Sequence, residues 1–353
     1  MKQIVHIVNR DKFTAGYINF MEYYMKDYSH LFITLKTDKE LDVLNINNVI
    51  YIESYKCLIR NGEIRKSFED AYKIIGTGIF GMEKYLIRFP DSILKKTYFQ
   101  FWGGDFYMYR NHKGPMTQLR KHILKSCIKK IAANIMLVDG DCIQISNILK
   151  IDKKYFVAPM PSDPTKKINY DMYRNMKHED NKKRILVGNS STPENQHIEM
   201  FEKLSYLKEE KDINIICPLS YGDENYREEV IRKGKDIFGN NFIPITEFMD
   251  IEKYHNLLST CDIGIFNNNR QQALGNIWIM LRMGKKLYIR SDNSMWKHFK
   301  DLGFKLYDIA DIQEISLEQL CFYDASDRMH NLETADSYND EKDIAAWKKV
   351  LAD

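Results

Sequence analysis

Several common signatures of catalytic chemistry are missing from this 353-residue chain. No two of its six cysteines follow C-x-x-C spacing, and no histidine lies at zinc-finger distance from them. The motifs H-E-x-x-H, G-x-x-x-x-G-K-S/T and G-x-S-x-G are absent as well. These absences argue against common zinc, P-loop and serine-hydrolase chemistry. We therefore expect reduced, mostly buried thiols, no metal and no cofactor.

Long apolar runs are also lacking. No stretch approaches the roughly 20 residues that a membrane-spanning helix needs, and MKQIVHIVNR at the start is too short and too interrupted for a signal peptide. We expect a cytoplasmic protein that can still contact a membrane surface. The net charge of +3 gives no strong overall field, and no nucleic-acid recognition motif is present, so nucleic acid is not an expected partner.

The chain does contain regularly alternating strand and helix patterns, which are clearest in its C-terminal half. Short apolar runs at 184–189, 213–219, 242–246, 262–267 and 285–290 are each followed by a helical pattern. Such alternation predicts a parallel sheet covered by helices, with ligands beyond the carboxyl ends of the strands. The N-terminal half follows the pattern more loosely, and its segment 66–88 is predicted to be helical.

These patterns predict two α/β domains. The expected organisation is an N-terminal domain over 1–160, a polar linker over 161–183, a C-terminal domain over 184–335 and a terminal helix over 336–353 that packs on the first domain. The favoured architecture is the GT-B glycosyltransferase fold, in which two Rossmann-like domains face each other across a cleft. Periplasmic-binding-like and epimerase-like folds share these coarse features.

Three strand–helix junctions in the C-terminal half could bind a nucleoside diphosphate. VGNSSTPENQH (187–197) offers hydroxyls at a helix start, NNNRQQALGN (267–276) offers a guanidinium and two amides, and CPLSYGDENY (217–226) offers a tyrosine that could stack on a base. Ordinary capped turns explain the same residues. The expected donor-binding residues are Gly188, Asn189, Ser190, His197, Tyr221, Arg270, Gln271, Gln272 and Gly275.

The stretch FWGGDFY (101–107) follows a predicted strand of the N-terminal half. Glycines let a backbone approach a substrate closely, and aromatic rings can stack on a sugar. Asp105 is the candidate base for the acceptor hydroxyl, although it could instead orient the acceptor or cap a turn. The expected acceptor-binding residues are Trp102, Gly103, Gly104 and Tyr107.

The segment 106–138 contains no acidic residue. Its helical pattern places apolar Leu119, Ile123, Cys127 and Ile131 apart from a basic face, which is typical of contact with anionic lipid or a lipid diphosphate. A solvated face is the alternative. The basic residues concerned are Arg120, Lys121, Lys125 and Lys129. The following D-G-D at 139–141 resembles a metal motif, but it lies between a strand and a predicted helix, so helix capping is the favoured explanation.

Taken together, FWGGDFY, ILVGNSSTPENQHI, PLSYGDENYREEV and FNNNRQQALGNI resemble glycosyltransferase family 56, the 4-alpha-L-fucosyltransferase family. The resemblance spans most of the chain and is densest from 185 to 300. It implies a GT-B fold in which domain 1–160 binds the acceptor and domain 184–335 binds the nucleotide sugar. It also implies a TDP-linked sugar donor such as TDP-Fuc4NAc and a polyprenyl-diphosphate-linked acceptor at the cytoplasmic face of the inner membrane. The positions that match the family motifs also include Asn195, Pro218 and the run Glu228–Glu229–Val230.

One position departs from the family pattern. The family has a histidine two residues before the tryptophan of the W-G-x-D stretch, where this chain has Gln100. If that histidine takes part in the reaction, the mechanism or acceptor differs here. The resemblance favours a peripheral, metal-independent glycosyltransferase. A nucleotide-sugar epimerase of the same fold and a non-catalytic scaffold of a glycan-assembly complex remain alternatives.

Overall fold

The computed structural model describes residues 1–36, 43–110, 114–161, 164, 168–174, 176, 180–313 and 315–353. The chain divides into two compact units. Unit 1 comprises Met1–Lys167 together with Asn339–Asp353, and unit 2 comprises Ile168–Tyr338. Within the expected linker 161–183, residues 162–163, 165–167, 175 and 177–179 lie outside the described residues, and the segment that begins at Ile168 belongs to unit 2.

Unit 1 is built on a parallel sheet of seven strands in the order β3-β2-β1-β4-β5-β6-β7. The strands are β1 (Lys2–Val8), β2 (Tyr28–Leu35), β3 (Val49–Ile52), β4 (Lys73–Thr77), β5 (Thr97–Phe101), β6 (Ala133–Met136) and β7 (Tyr155–Val157). The helices are α1 (Thr14–Tyr24), α2 (Cys57–Arg60), α3 (Gly62–Asp70), α4 (Glu83–Leu86), α5 (Asp91–Leu94), α6 (Gly104–Tyr107), α7 (Pro115–Lys130) and α8 (Gly140–Leu149).

Unit 2 has a six-stranded parallel sheet in the order β10-β9-β8-β11-β12-β13. Its strands are β8 (Lys183–Val187), β9 (Ile213–Pro218), β10 (Phe242–Ile245), β11 (Ile263–Phe266), β12 (Lys286–Ile289) and β13 (Tyr307–Asp308). Its helices are α9 (Asp171–Arg174), α10 (His197–Lys203), α11 (Glu224–Phe238), α12 (Ile251–Ser259), α13 (Leu274–Arg282), α14 (Ser294–Asp301), α15 (Leu317–Cys321) and α16 (Ala325–Ser337), and the last helix of the chain, α17 (Asp340–Ala352), belongs to unit 1.

Both sheets are buried on both faces. In β1, Val5 and Ile7 pack into one apolar core of unit 1, whereas Ile4 and Val8 pack into a second core. A parallel strand covered by helices on both sides reads as a continuous apolar run instead of an alternating one. Because both faces of each sheet are buried, most of the strands could be predicted from short apolar runs in the sequence.

The prediction of one helix over 66–88 is wrong. The structure ends α3 at Asp70, places strand β4 at Lys73–Thr77 and begins α4 at Glu83. The strand has the sequence KIIGT and is buried throughout, so it lacks the alternation that would distinguish it from a buried helix. Its pairing with β1 and β5 at the centre of the sheet fixes it as a strand.

Helix α17 is held in unit 1 by a buried tryptophan and a buried lysine. Trp347 donates from Nε1 to the carbonyl oxygen of Pro159 at 3.1 Å and contacts the ring of Tyr17 edge-on. Lys73 donates to the carbonyl of Val350 near the end of α17, and its ammonium lies 4.2 Å from the centre of the Tyr98 ring. A cation at the C-terminal end of a helix is favourable because the helix dipole is negative there. None of the described helices combines the length and hydropathy needed to span a membrane.

Replacing Trp347 by alanine should destabilise unit 1 by about 3–5 kcal/mol, because it leaves a large cavity in the core and an unpaired carbonyl. Urea unfolding followed by circular dichroism measures this loss. Lys348→Ala is the matched control, since Lys348 is exposed on the same helix. Equal stability of the two variants would contradict the packing of α17 described here.

Candidate active site

The strand order of unit 2 changes direction between β8 and β11. The chain runs from β8 outward to β9 and β10, and then returns to β11 on the other side of β8. The loops that follow these two neighbouring strands therefore diverge at the carboxyl edge, which is where open parallel sheets bind ligands. Loop 188–196 follows β8 and loop 267–273 follows β11, so two motifs about 80 residues apart in sequence meet here.

Side-chain amides and hydroxyls join the two loops. Gln272 donates from Nε2 to Ser190 Oγ at 3.0 Å and to Thr192 Oγ1 at 2.9 Å. Asn195 is buried, and its Oδ1 accepts from Asn268 Nδ2 at 3.1 Å and from the Asn189 backbone N–H at 3.0 Å. These bonds fix the separation of the loops before any ligand arrives.

Gly188 and His197 pack directly against each other. Gly188 has φ +71°, and a Cβ built on it would lie 2.4 Å from His197 Nε2. His197 is fully buried, its backbone N–H donates to Tyr226 Oη at 3.1 Å, and burial lowers its pKa to about 3. The glycine thus makes room for a neutral imidazole beneath the loop.

A third loop, which follows β9, completes the cluster. Tyr221 accepts from Asn189 Nδ2 at 3.0 Å, and its ring is 46% exposed. Gly222 has φ +127°, and its missing Cβ would lie 2.6 Å from the carbonyl carbon of Ser191. Glycine is therefore required for the two loops to touch. Tyr221 presents the largest exposed aromatic surface among the expected donor residues.

Arg270 supplies the positive charge of the cluster. Its Nη1 donates to the carbonyl of Gln271 at 3.0 Å, its Nε lies 3.7 Å from Glu194, and its side chain is 15% exposed. Gln271 is buried, and its Oε1 has no hydrogen-bond partner within the described part of the chain. A neighbouring anion would compete with Glu194 for the guanidinium.

Two residues of the cluster were not identified from the sequence. Asn293 donates from Nδ2 to the carbonyls of Asn268 and Arg270 at 2.6 and 2.8 Å, and Arg290 donates to Gln196 Oε1 at 2.8 Å. Both follow β12, whose buried run was recognised as a strand. Their position directly after β12 could have identified them, because the loops that follow the strands of a parallel sheet all lie at the same edge.

Helix α13 begins beside Arg270 without a side-chain cap. Its N-cap residue is Ala273 at φ +63°, and its first turn contains no acidic residue. Gly275 lies in this turn, and a Cβ there would meet nothing within 4 Å. Uncapped N–H groups and the positive end of the helix dipole favour an anion at this position.

In unit 1, Asp105 connects the loops that follow β4 and β5. Its carboxylate accepts from the backbone N–H groups of Ile79 and Trp102, each at 3.1 Å. The side chain is 3% exposed, and burial raises its pKa to about 7, with the neighbouring Asp141 adding to the rise. These contacts favour the role of a loop cap among the three roles considered for Asp105.

The remaining residues of FWGGDFY separate into a turn, a buried tyrosine and a half-buried tryptophan. Gly103 has φ +91° and precedes α6, which begins at Gly104. Tyr107 differs from the expectation of an open stacking face, because it is buried, stacks on Phe106 at 4.4 Å and donates to Asp141 Oδ1 at 2.8 Å. Trp102 is half-buried. Gln100 is fully buried in β5.

The D-G-D stretch forms a helix start. Asp139 is the N-cap residue of α8 without a side-chain capping bond, and Asp141 is engaged by Tyr107. Among the described residues, no group of three or more His, Cys, Asp or Glu side chains could hold a metal ion.

The basic helix α7 presents both charge and apolar surface. Arg120 and Lys129 are exposed, and Lys121 and Lys125 are half-buried. Cys127 and Ile131 pack into the core, whereas Leu119 and Met116 are 54% and 61% exposed. The apolar stripe expected from the sequence is therefore buried only at its C-terminal end.

Two parallel sheets in one chain, each with a change of direction in strand order, match the GT-B architecture of glycosyltransferases. The chain belongs to the family described as 4-alpha-L-fucosyltransferase, glycosyl transferase group 56, whose model matches residues 31–351. This membership confirms the resemblance inferred from the four motifs, and it favours the transferase over the epimerase and scaffold alternatives.

Solved structures of similar fold support this architecture. A glycosyltransferase from Rickettsia africae is 15% identical with a TM-score of 0.69, and the match covers 99% of this chain and 97% of that one. A UDP-forming trehalose-phosphate synthase from Burkholderia xenovorans is 9% identical with a TM-score of 0.65, covering 100% and 98%. The E. coli trehalose-6-phosphate protein bound with UDP-2-fluoro glucose is 11% identical with a TM-score of 0.62, covering 99% of each chain.

The buried carboxyl of Asp105 makes a prediction about stability and pH. An unfolded aspartate has a pKa near 3.9, whereas the folded carboxyl keeps its proton up to about pH 7. This group therefore costs the wild type stability as the pH rises from about 4 to about 7, and asparagine carries no such cost. The unfolding free energy of Asp105→Asn relative to wild type should therefore rise by a few kcal/mol between pH 4 and pH 7.

Urea unfolding at several pH values measures the difference between the two proteins. Asp27→Asn is the matched control, because Asp27 lies on an exposed turn of the same unit. A difference between Asp105→Asn and wild type that does not change with pH would contradict the burial of an ionisable carboxyl at this position.

Proposed function

We propose that this glycosyltransferase moves a fucose-like sugar from a nucleoside-diphosphate donor to a polyprenyl-diphosphate-linked saccharide in bacterial surface-glycan synthesis. Binding of the nucleoside-diphosphate donor is supported by one observation. Ser190, Gln272 and Arg270 lie on neighbouring loops beside the uncapped start of α13. Group 56 membership supports the sugar class. The TDP base and the lipid-linked acceptor follow from the resemblance of the sequence motifs to that family.

Unit 2 would hold the donor diphosphate. The Arg270 guanidinium and the α13 N–H groups would stabilise the negative charge that develops on the departing diphosphate. Tyr221 offers the exposed ring on which a base or sugar could stack. Because these groups already provide positive charge and hydrogen-bond donors, the proposal requires no metal ion.

Donor binding should raise the melting temperature of the protein, because a ligand that binds only the folded state stabilises it by mass action. We expect a larger shift with TDP and TDP-sugars than with their UDP or GDP counterparts. Arg270→Met should weaken TDP binding by roughly 10- to 100-fold, as expected for the loss of a charge-assisted contact. A thermal-shift titration measures both effects.

Arg232→Met is the matched control for this titration, since Arg232 is an exposed arginine on α11 of the same unit. Equal shifts in melting temperature for wild type and Arg270→Met would show that Arg270 does not bind the donor. A larger shift with UDP or GDP would overturn the TDP assignment, and no shift with any nucleotide would contradict the donor site as a whole.

Helix α7 supports the proposal that the protein works at an anionic membrane surface, and the resemblance to the family favours the cytoplasmic face of the inner membrane as that surface. Met116 and Leu119 are exposed apolar side chains at the start of this helix, next to Arg120 and Lys121. Apolar side chains can enter the headgroup region while each nearby cation contributes about 1 kcal/mol on anionic lipid. The same cations would be available to a lipid-linked diphosphate.

Liposome flotation tests this membrane surface. Wild type should float with vesicles of phosphatidylcholine containing about 30% phosphatidylglycerol more than with pure phosphatidylcholine, because each cation gains about 1 kcal/mol near anionic lipid. Lys121→Gln/Lys125→Gln and Leu119→Ser should both lose this recovery. Lys348→Gln/Lys349→Gln on α17 should keep it, since it removes the same charge elsewhere. Equal recovery of wild type with both vesicles would count against the proposal.

A further inference from the structure

The strand order of unit 1 changes direction between β1 and β4, which are neighbours in the centre of its sheet. The loop 9–13 follows β1 at this point, and sequence reasoning did not identify it. Its backbone is held by Asn9, whose N–H donates to Thr77 Oγ1 at 3.4 Å and whose Oδ1 accepts from Tyr55 at 3.1 Å. By the same rule as in unit 2, we expect a ligand of unit 1 to bind at this edge.

Three aromatic side chains from consecutive strand ends meet at this edge. Phe13 follows β1, Phe80 follows β4 and Trp102 follows β5. Phe13 and Phe80 contact the Trp102 ring edge-on with centroid distances of 6.1 and 6.4 Å. They are 43% and 47% exposed. We call these three rings the aromatic platform.

A glycine allows the platform to form. Gly78 has φ +62°, and a Cβ built on it would lie 3.3 Å from the Trp102 ring and 3.2 Å from Asn9 Cβ. A larger residue would be strained at this positive φ and would crowd both neighbours. An exposed apolar cluster that is maintained by close backbone packing is typical of a binding surface, and flat rings suit the C–H face of a sugar.

Asp11 lies in the same loop, two residues before Phe13. Its Oδ1 accepts the Phe13 N–H at 2.7 Å, and its own N–H donates to Thr14 Oγ1 at 3.0 Å. The carboxylate is part-exposed, in contrast to Asp105, whose carboxylate is buried on two backbone N–H groups. Asp11 therefore places a part-exposed carboxylate next to the backbone of Phe13, one of the three platform residues.

The charges around Asp11 leave it ionised at neutral pH but basic enough to accept a proton. Partial burial raises its pKa to about 6, while Lys12 and the N–H groups of Phe13 and Thr14 oppose the rise. Tyr55 faces the same carboxylate, whose charge helps to raise the tyrosine pKa to about 12. A general base works best with a pKa near the operating pH.

We propose that the aromatic platform binds the acceptor saccharide and that Asp11 is the base that takes the proton from its attacking hydroxyl. The oxygen of that hydroxyl forms a bond to the anomeric carbon of the donor sugar. The bond from that carbon to the diphosphate breaks, its electron pair leaves with the diphosphate, and the hydroxyl proton moves to the Asp11 carboxylate. The role of Asp11 rests on the proposed transfer from a nucleoside-diphosphate sugar, whereas saccharide binding by the platform does not.

Saccharide binding is tested first, without any donor. Saturation-transfer NMR with methyl glycosides of hexoses and N-acetylhexosamines should detect binding to wild type. Phe80→Leu and Trp102→Leu should weaken it by about tenfold, because a ring contact is lost. Tyr51→Leu, an exposed aromatic on β3 of the same unit, should bind as wild type does. Absence of binding to wild type, or equal binding by all four proteins, would overturn the platform.

Turnover is tested second, as release of TDP from a TDP-sugar in the presence of the glycoside that bound. Asp11→Asn should lower kcat by about 100-fold or more while saccharide affinity stays within about threefold. Wild-type kcat/KM should fall as the pH drops through about 6, because a base must be unprotonated to act. This decrease at acidic pH should be absent from the pH profile of Asp11→Asn. Asp27→Asn is the matched control.

The outcomes separate the two levels of the proposal. Turnover by Asp11→Asn within a few-fold of wild type would overturn the role of Asp11. If wild type binds the saccharide but releases no nucleotide from any donor, the proposed transfer is wrong and Asp11 is not its base, while the platform stands as a saccharide site.

Discussion

Buried hydrogen bonds between strand-end loops are the constraint on which both sites depend. A change of direction in strand order leaves neighbouring loops that diverge, and polar side chains must fill the space between them. In unit 2 this task falls to Asn195, whose amide is buried and contacts loop residues that follow both β8 and β11. A buried polar group left without its partner costs about 1–3 kcal/mol, so the loops are stable only in the arrangement that satisfies this amide.

Unit 1 solves the same problem with a carboxylate. The groups to be joined are the N–H donors of Ile79 and Trp102, and the two oxygens of the Asp105 carboxyl group accept from both. Burying this carboxyl group disfavours its charged form, which is why the pKa of Asp105 is raised. A residue with a strongly shifted pKa near a binding site need not take part in the reaction. The burial of Asp105 against two backbone N–H groups indicates that this residue sets the geometry of the loops.

Much of the fold could be predicted because short apolar runs bounded by polar loops mark buried parallel strands. The pattern failed at β4, where KIIGT is buried on both faces and continues a helical stretch without a break. Within the candidate sites, residue type and position after a strand predicted Ser190, Arg270 and Gln272, which the structure places on neighbouring loops. The same reasoning did not single out Asp11 or Asn293, because an isolated aspartate or asparagine after a strand is a common turn residue.

The sequence by itself determined the family, the alternation of strands and helices, and the loops that carry polar residues, because these depend on local pattern and motif order. Only the tertiary structure decided which way each side chain faces. It buried His197 against Gly188 and Tyr107 against Phe106, and it gathered Phe13, Phe80 and Trp102 from three separate strand ends. Burial and contact between distant segments follow from strand order, which no local pattern encodes.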